Sequence, residues 1–329
     1  MRYFESDTVS EYLPFGNLIE ALRAQFSHPC EVPLRQNHEI PNPLAASGLA
    51  LSARRFTSLI MPAWMPGRYY GVKIVNIAPG NVGKGLPGLH SSYVLFDGQT
   101  GVPLAYFDAN MITARRTAAA SALAGSFLAR PEARHLLVIG AGQVARLLPA
   151  AYRAVRNIET VTVWSRRAEA AAALVAVLRA DGFQAEVAPS VEKACGEVDI
   201  VSAATMSTGP LIKGAWLPPG VHLDLIGGFT PAMREADDAC FEGARIFVDT
   251  EEALQKSGDL LIPMSHGVFG PDDVRGTLTT LCKGVASGRK NLSERTVFKS
   301  VGSAAEDLAA AVLVYENHNN KGRLPAVAS

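Results

Sequence analysis

The stretch HLLVIGAGQVARLLPAAY, His135 to Tyr152, constrains this chain more than any other. A short apolar run ends at Gly140-Ala141-Gly142 and is followed by a helical pattern, with Ala145 completing G-x-G-x-x-A. Between a strand and a helix each small residue has a distinct task. Gly140 permits the tight turn, Gly142 lets the backbone approach a pyrophosphate, and Ala145 lets the helix close on the strand. The first helical N–H groups, those of Gln143 and Val144, then face the phosphates. The spacing predicts a dinucleotide site; the plain alternative is a glycine turn that binds nothing.

The flanking sequence supports that context. VTVWS, FQAEVA, VDIVSAAT, VHLDLIG and RIFVD are short apolar runs. They alternate with helical patterns over Gln143–Val155, Ala168–Ala180 and Glu251–Lys256, plus a short helix before VDIVSAAT. Continuous apolar strands mean a sheet covered on both faces, and the alternation predicts a doubly wound parallel sheet of the Rossmann type. Upstream the pattern differs. VSEYLPFGNLIEALRAQF reads as one early helix, YYGVKIVNI as a strand, and SSYVLFD-GQTG-VPLAYFD as a hairpin. In ANMITARRTAAASALAGSFLA, Thr113 is the predicted N-cap of an alanine-rich helix ending near Arg130. The layout is α/β: a first domain over 1–115, an inserted dinucleotide domain over 116–299, and a helix in 300–329 that packs back against the first domain.

Composition narrows the function classes. The 329 residues are 48% hydrophobic and 19% charged, with a formal net charge of zero. Neutrality removes bulk attraction to nucleic acid or to a membrane surface. The N-terminal MRYFESDTVSEYL has no apolar segment of the secretory kind, and no run reaches the ~18 residues of a membrane span. Cys30, Cys195, Cys240 and Cys282 form no C-x-x-C pair, so neither a metal site nor a disulfide framework is indicated. Reduced thiols in a cytoplasmic protein are the expectation.

VTVWSRRA, Val161 to Ala168, decides the kind of dinucleotide. About 20 residues beyond the glycine turn an NAD site carries an acid for the ribose 2′-hydroxyl. Here Ser165 holds that position, followed by Arg166 and Arg167. Serine hydrogen-bonds a 2′-phosphate and guanidinium groups pair with it, whereas an acid repels it. The expectation is NADPH, with NADH the weaker cofactor. Two arginines that merely begin the next helix are the alternative, which the helix dipole disfavours.

GVKIVN, GLPGLHSSYVLFDGQTGVPLA, ITARRTAAASALA, VIGAGQVA, SAATMSTGPLI, DLIGGFTPAMREAD and SVGSAAEDL follow one another along nearly the whole chain. In that order they resemble the ornithine cyclodeaminase/μ-crystallin family. The resemblance implies a substrate-binding and dimerisation domain joined to a Rossmann domain, a homodimer, and a small α-amino or α-imino acid handled beside a nicotinamide ring. It implies that Arg35, Lys73 and Arg116 bind the substrate carboxylate. Each also has an ordinary alternative: a surface arginine, a strand-end lysine, and a helix-surface cation like Arg115. It further implies Arg116, Thr117, Thr205, Gly227, Phe229 and Ser300 as cofactor contacts, with Val301 beside the substrate. Thr205 and Ser300 could equally cap helices.

The chain departs from the cyclodeaminase pattern in three places. Phe229 stands where the cyclodeaminase has an aspartate after its glycine pair, Leu59 stands where it has a glutamate, and Ser165 replaces the ribose acid. Two groups suited to a diamine are thus apolar here. The expected reaction is NADPH-dependent reduction of a cyclic α-imino acid: Δ1-pyrroline-2-carboxylate to L-proline, with Δ1-piperideine-2-carboxylate to L-pipecolate as a second substrate. Hydroxyproline breakdown is the process such reductases serve within the family. Lys73 is the expected proton donor, with His38 and His90 as rivals. The alternatives are an ornithine cyclodeaminase or alanine-type dehydrogenase, and a ligand-binding protein of the μ-crystallin kind.

Overall fold

The computed structural model describes residues 1–41 and 55–321. The chain divides into two compact units, one formed by residues Met1–Arg116 with the segment from Ser303 onward, the other by Thr117–Gly302.

The first unit opens with β1 (Arg2–Phe4), α1 (Ser6–Tyr12) and α2 (Phe15–Ser27). The single early helix expected from sequence is therefore two. Pro14 sits at the N-cap of α2 with ψ 139° and supplies no N–H to continue the first helix. Phe15, Leu18, Ile19, Leu22 and Phe26 then make one buried stripe at helical spacing. Next come β2 (Gln36–Pro41), β3 (Arg55–Met65), β4 (Tyr69–Ile77), β5 (Leu89–Asp97) and β6 (Pro103–Asp108). The sheet order is β1-β6-β5-β4-β3-β2, antiparallel except for β1 beside β6.

Register fixes which residues share a face. Met61 lies opposite Lys73, Lys73 opposite Tyr93, Tyr93 opposite Phe107, and Phe107 opposite Phe4, so all are on one side of the pleat. The other side carries Ile60, Trp64, Tyr70, Val72, Ile74, Val94, Phe96 and Tyr106. None of these is fully buried, and Ile74 is 38% exposed.

The helix α3 (Asn110–Leu128) carries the chain into the second unit. It starts three residues before the expected cap at Thr113, because the Asp108 carboxylate already accepts the Asn110 N–H at 3.2 Å.

The second unit holds β7 (His135–Ile139), α4 (Gln143–Arg153), β8 (Thr160–Trp164), α5 (Ala168–Ala180), β9 (Gln184–Val187), α6 (Val191–Cys195) and β10 (Ile200–Ala203). Then follow β11 (His222–Leu225), β12 (Arg245–Val248), α7 (Ala253–Lys256), α8 (Gly258–Ser265), β13 (Val274–Thr277), α9 (Leu278–Cys282) and β14 (Thr296–Lys299). All eight strands are parallel, in the order β13-β12-β14-β11-β10-β7-β8-β9. The chain leaves β7 for β8 on one side and returns to β10 on the other. The crevice where strand order reverses is where such sheets bind ligands. Ser300 and Val301 belong to this unit rather than to the returning segment: Ser300 N–H donates to Leu225 O, and Val301 N–H donates to the Asp249 carboxylate.

Last comes α10 (Ala304–Lys321), which packs in the first unit against α2, β3 and β4 on the Lys73 face of the sheet. None of the helices among the described residues is long and apolar enough to cross a membrane.

Candidate active site

In the second unit the glycine turn is sterically obligatory. Gly140 has φ +122°, and a Cβ there would lie 2.6 Å from the Ala204 carbonyl oxygen. The turn after β7 thus rests directly on the loop after β10. Gly142 is the N-cap of α4, and a Cβ built on it would meet nothing within 4 Å. The space before the helix N-terminus is therefore open to a phosphate. Ala145 is fully buried, as the close helix–strand approach requires. Gln143 and Val144 open α4, placing their N–H groups at its unsatisfied end.

A cavity of about 360 Å³ begins at this turn and is lined by Gly140, Gly142, Trp164, Ser165, Arg166, Arg167 and Thr205, among others. The lining suits a dinucleotide: glycine clearance together with two exposed arginines and a serine hydroxyl. Arg167 is itself the N-cap of α5. Thr205 enters differently than expected. Its hydroxyl donates to Glu235 Oε1 at 2.7 Å, so it braces the loop after β10 while lining the cavity. Gly227 likewise has a packing reason: a Cβ there would lie 1.7 Å from the Thr205 carbonyl oxygen. Phe229, half-buried, follows this glycine pair.

In the first unit the buried face of the sheet carries a cluster of charges. Lys73 is 1% exposed, and its Nζ lies 2.6 Å from Asp307 Oδ2. Arg116 is 6% exposed; its Nε donates to Asp307 Oδ1 at 3.1 Å and its Nη1 to Glu306 Oε2 at 2.6 Å. One carboxylate is therefore shared by two cations, and a second carboxylate completes the balance. Burial pushes Lys73 down to about 8; Asp307 opposes the fall, Arg116 deepens it, and Glu306 opposes it more weakly. Lys73 is thus a lysine whose proton is exchangeable near neutral pH.

Arg35, half-buried, immediately precedes β2, whose register with β3 begins at Gln36–Ile60. The same register puts His38 and His90 on the opposite face from Lys73, and both are exposed. The two rival proton donors are therefore on the wrong side of the sheet. Leu59 is on the Lys73 face, opposite Val75.

The sequence profile of the ornithine cyclodeaminase/mu-crystallin family matches residues 23–322. The chain belongs to this family. A Delta(1)-pyrroline-2-carboxylate reductase of Paracoccus denitrificans is 42% identical over 282 residues, 84% of this chain and 88% of that protein. The structure of Thermococcus litoralis Delta(1)-pyrroline-2-carboxylate reductase, in complex with NADH and L-proline, superposes with a TM-score of 0.90 at 32% identity, covering 98% of each chain. An archaeal alanine dehydrogenase dimer with bound NAD gives 0.88 at 31% identity, covering 98% of this chain and 97% of that one.

Within this family member, sequence reasoning named the cations and missed the acids that hold them. Glu306 and Asp307 stand side by side in SAAEDLAAAVLVY, an otherwise small and apolar helix. Two adjacent acids in a stretch that must be buried are a usable signal, since buried acids require partners. Asp249 was also missed; it accepts the N–H groups of both Val301 and Gly302, at 2.7 and 2.6 Å.

The geometry predicts the outcome of removing the shared carboxylate. Asp307→Asn takes away the charge that supports the Lys73 ammonium, so Lys73 should titrate below about 8. An NMR titration of 15N-labelled lysine side chains reads this directly; an unchanged or raised value would contradict the assignment.

Proposed function

We propose that this protein reduces a cyclic α-imino acid, Δ1-pyrroline-2-carboxylate to L-proline, with Δ1-piperideine-2-carboxylate as a second substrate. The observation that carries this reading is the buried Lys73–Arg116 pair on the shared Asp307 carboxylate, in which one cation stays charged and burial pulls the other down to about 8. The protein is an oxidoreductase acting on C–N bonds, in keeping with its reductase and dehydrogenase relatives.

Reduction of C=N requires a hydride at carbon and a proton at nitrogen. The bound nicotinamide supplies the hydride. Arg116, with Lys73 and Arg35, fixes the substrate carboxylate, and a bidentate guanidinium contact sets the orientation of the ring. Lys73 delivers the proton to the imine nitrogen, a task no arginine performs. Asp307 keeps the Lys73 ammonium oriented. Leu59 and Phe229 are apolar where a cyclodeaminase has acids, which favours an apolar ring over a second amino group.

NADPH is the preferred cofactor in this reading. The Thermococcus relative was solved with NADH. In this chain Ser165, Arg166 and Arg167 line the same cavity as the glycine turn. Three hydrogen-bond donors there, two of them charged, suit a 2′-phosphate.

A homodimer completes the proposal. The first unit leaves one sheet face carrying Trp64, Tyr70 and Phe96 in ring contact, with centroids 6.4 and 5.2 Å apart, beside Val72 and Ile74. A contiguous apolar face of this kind is what a second copy would cover.

The deciding experiment offers Δ1-pyrroline-2-carboxylate with NADPH, and ornithine or alanine with NAD+. Turnover of the imine alone is expected; oxidation of the amino acids without imine reduction would sink the reading. With the imine, kcat/KM should fall as pH rises through about 8, where Lys73 loses its proton. Lys73→Arg should lower kcat about 100-fold or more with a smaller change in KM.

Arg166→Ala combined with Arg167→Ala should raise the KM for NADPH at least tenfold, since charge-assisted contacts contribute ~1.5–3 kcal/mol each. NADH kinetics should barely move, and equal damage to both cofactors would refute the 2′-phosphate role. Light scattering should give twice the chain mass for the wild type and the chain mass for Ile74→Lys; a monomeric wild type excludes the dimer.

A further inference from the structure

Glu235 is fully buried in the second unit, within TPAMREAD, and none of the binding or proton-transfer roles above uses it. Its carboxylate collects donors from two loops. Oε1 accepts the Thr205 N–H and the Thr205 hydroxyl, both at 2.7 Å. Oε2 accepts the Gly227 N–H at 2.7 Å. Thr205 lies in the loop after β10 and Gly227 in the loop after β11. Both glycines of the pair make room for buried acids: a Cβ at Gly227 would also crowd Glu235 Oε1 at 2.6 Å, and one at Gly228 would lie 2.3 Å from Asp259 Oδ2.

The network continues away from Glu235. Asp259 Oδ1 accepts the N–H groups of Glu235 and Ala236 at 2.7 and 3.2 Å. Asp259 Oδ2 takes Lys299 Nζ at 3.0 Å, and both side chains are fully buried. Lys299 is the last residue of β14, immediately before Ser300 and Val301. Thus one chain of buried contacts runs from a wall of the dinucleotide cavity to the loop that follows β14.

We propose that Glu235 is a positioning residue for the dinucleotide: its carboxylate locks the loop after β10 to the loop after β11 and so sets the wall against which the glycine turn rests. The inference rests on the dinucleotide reading of the cavity. The mechanical link is short. Thr205 is held by Glu235; its neighbour Ala204 presents the carbonyl that a Cβ at Gly140 would meet at 2.6 Å. Release of Thr205 therefore frees the surface that shapes the turn.

The hydrogen bonds fit an ionised latch. All three contacts to Glu235 come from hydrogen-bond donors, which a carboxylate accepts. Burial raises Glu235 to about 7, with Lys299 opposing the rise and Asp259 adding to it. Lys299 is the cation that makes two buried acids tolerable here.

NADPH binding to the intact protein, followed by the fluorescence of the reduced nicotinamide, tests the proposal. Glu235→Gln keeps the shape but turns one acceptor into a donor, and should raise the NADPH Kd at least tenfold. With saturating NADPH and the imino acid, kcat should stay within about twofold of wild type. Thr205→Val removes only the hydroxyl and should weaken binding about threefold. The double variant should bind no worse than Glu235→Gln alone, because both changes open the same latch. An unchanged Kd in folded Glu235→Gln, additive losses in the double variant, or a fall in kcat at constant Kd would overturn it. If Glu235→Gln fails to fold, Thr205→Val decides: an unchanged Kd there overturns the proposal. Wild-type protein that binds no NADPH would remove the dinucleotide reading itself, whereas wild-type binding with unaffected variants removes only this inference.

Discussion

Asp307 between Lys73 and Arg116 is the contact on which the first unit depends. The three residues come from α10, β4 and α3, and Arg116 and Asp307 are 191 positions apart in the chain. The first unit therefore cannot be completed until the whole second unit has been made and the chain has returned. The acids of this contact, Glu306 and Asp307, lie in the first turn of the returning helix. A buried cation without its carboxylate costs several kcal/mol, so the helix is held in register by charge as well as by its apolar face.

The same contact tunes the chemistry. A lysine buried this deeply without an acid would be neutral at physiological pH, and one in full contact with acids alone would keep its proton. Asp307 and Glu306 pull one way, burial and Arg116 the other, and the balance leaves Lys73 near 8. In the proposed reaction one arrangement would serve both structural need and proton transfer. Arg116 has no such freedom: it stays charged, whereas Lys73 is the cation that could exchange a proton.

How much of this was legible in the sequence depended on range. The glycine turn was readable because its constraints act within six residues: a positive φ at Gly140, clearance at Gly142 and packing at Ala145. The position of Ser165 just after β8 was readable by counting from that turn. The break at Pro14 was also local, and a proline inside a helical pattern is enough to call it. The start of α3 depended on Asp108 acting from outside the helix, which the pattern of the helix alone does not contain. The partners of Lys73 and Arg116 were out of reach, because nothing local says which distant acid returns to a buried cation. Only the composition of the last helix, two acids among small apolar residues, hinted that partners existed.

The glycine pair at 227 and 228 shows how a small residue can have a packing cause. By family resemblance Gly227 is expected to contact the cofactor. In the structure their lack of side chains makes room for Thr205, Glu235 and Asp259. The two readings join once the buried acids are seen as supports of the cavity wall. A small residue at a binding site then marks either an approaching ligand or an approaching piece of the protein, and a Cβ built at the position reveals the second. At Gly142 the space is open, which leaves room for a ligand; at Gly227 it is filled by Thr205 and Glu235.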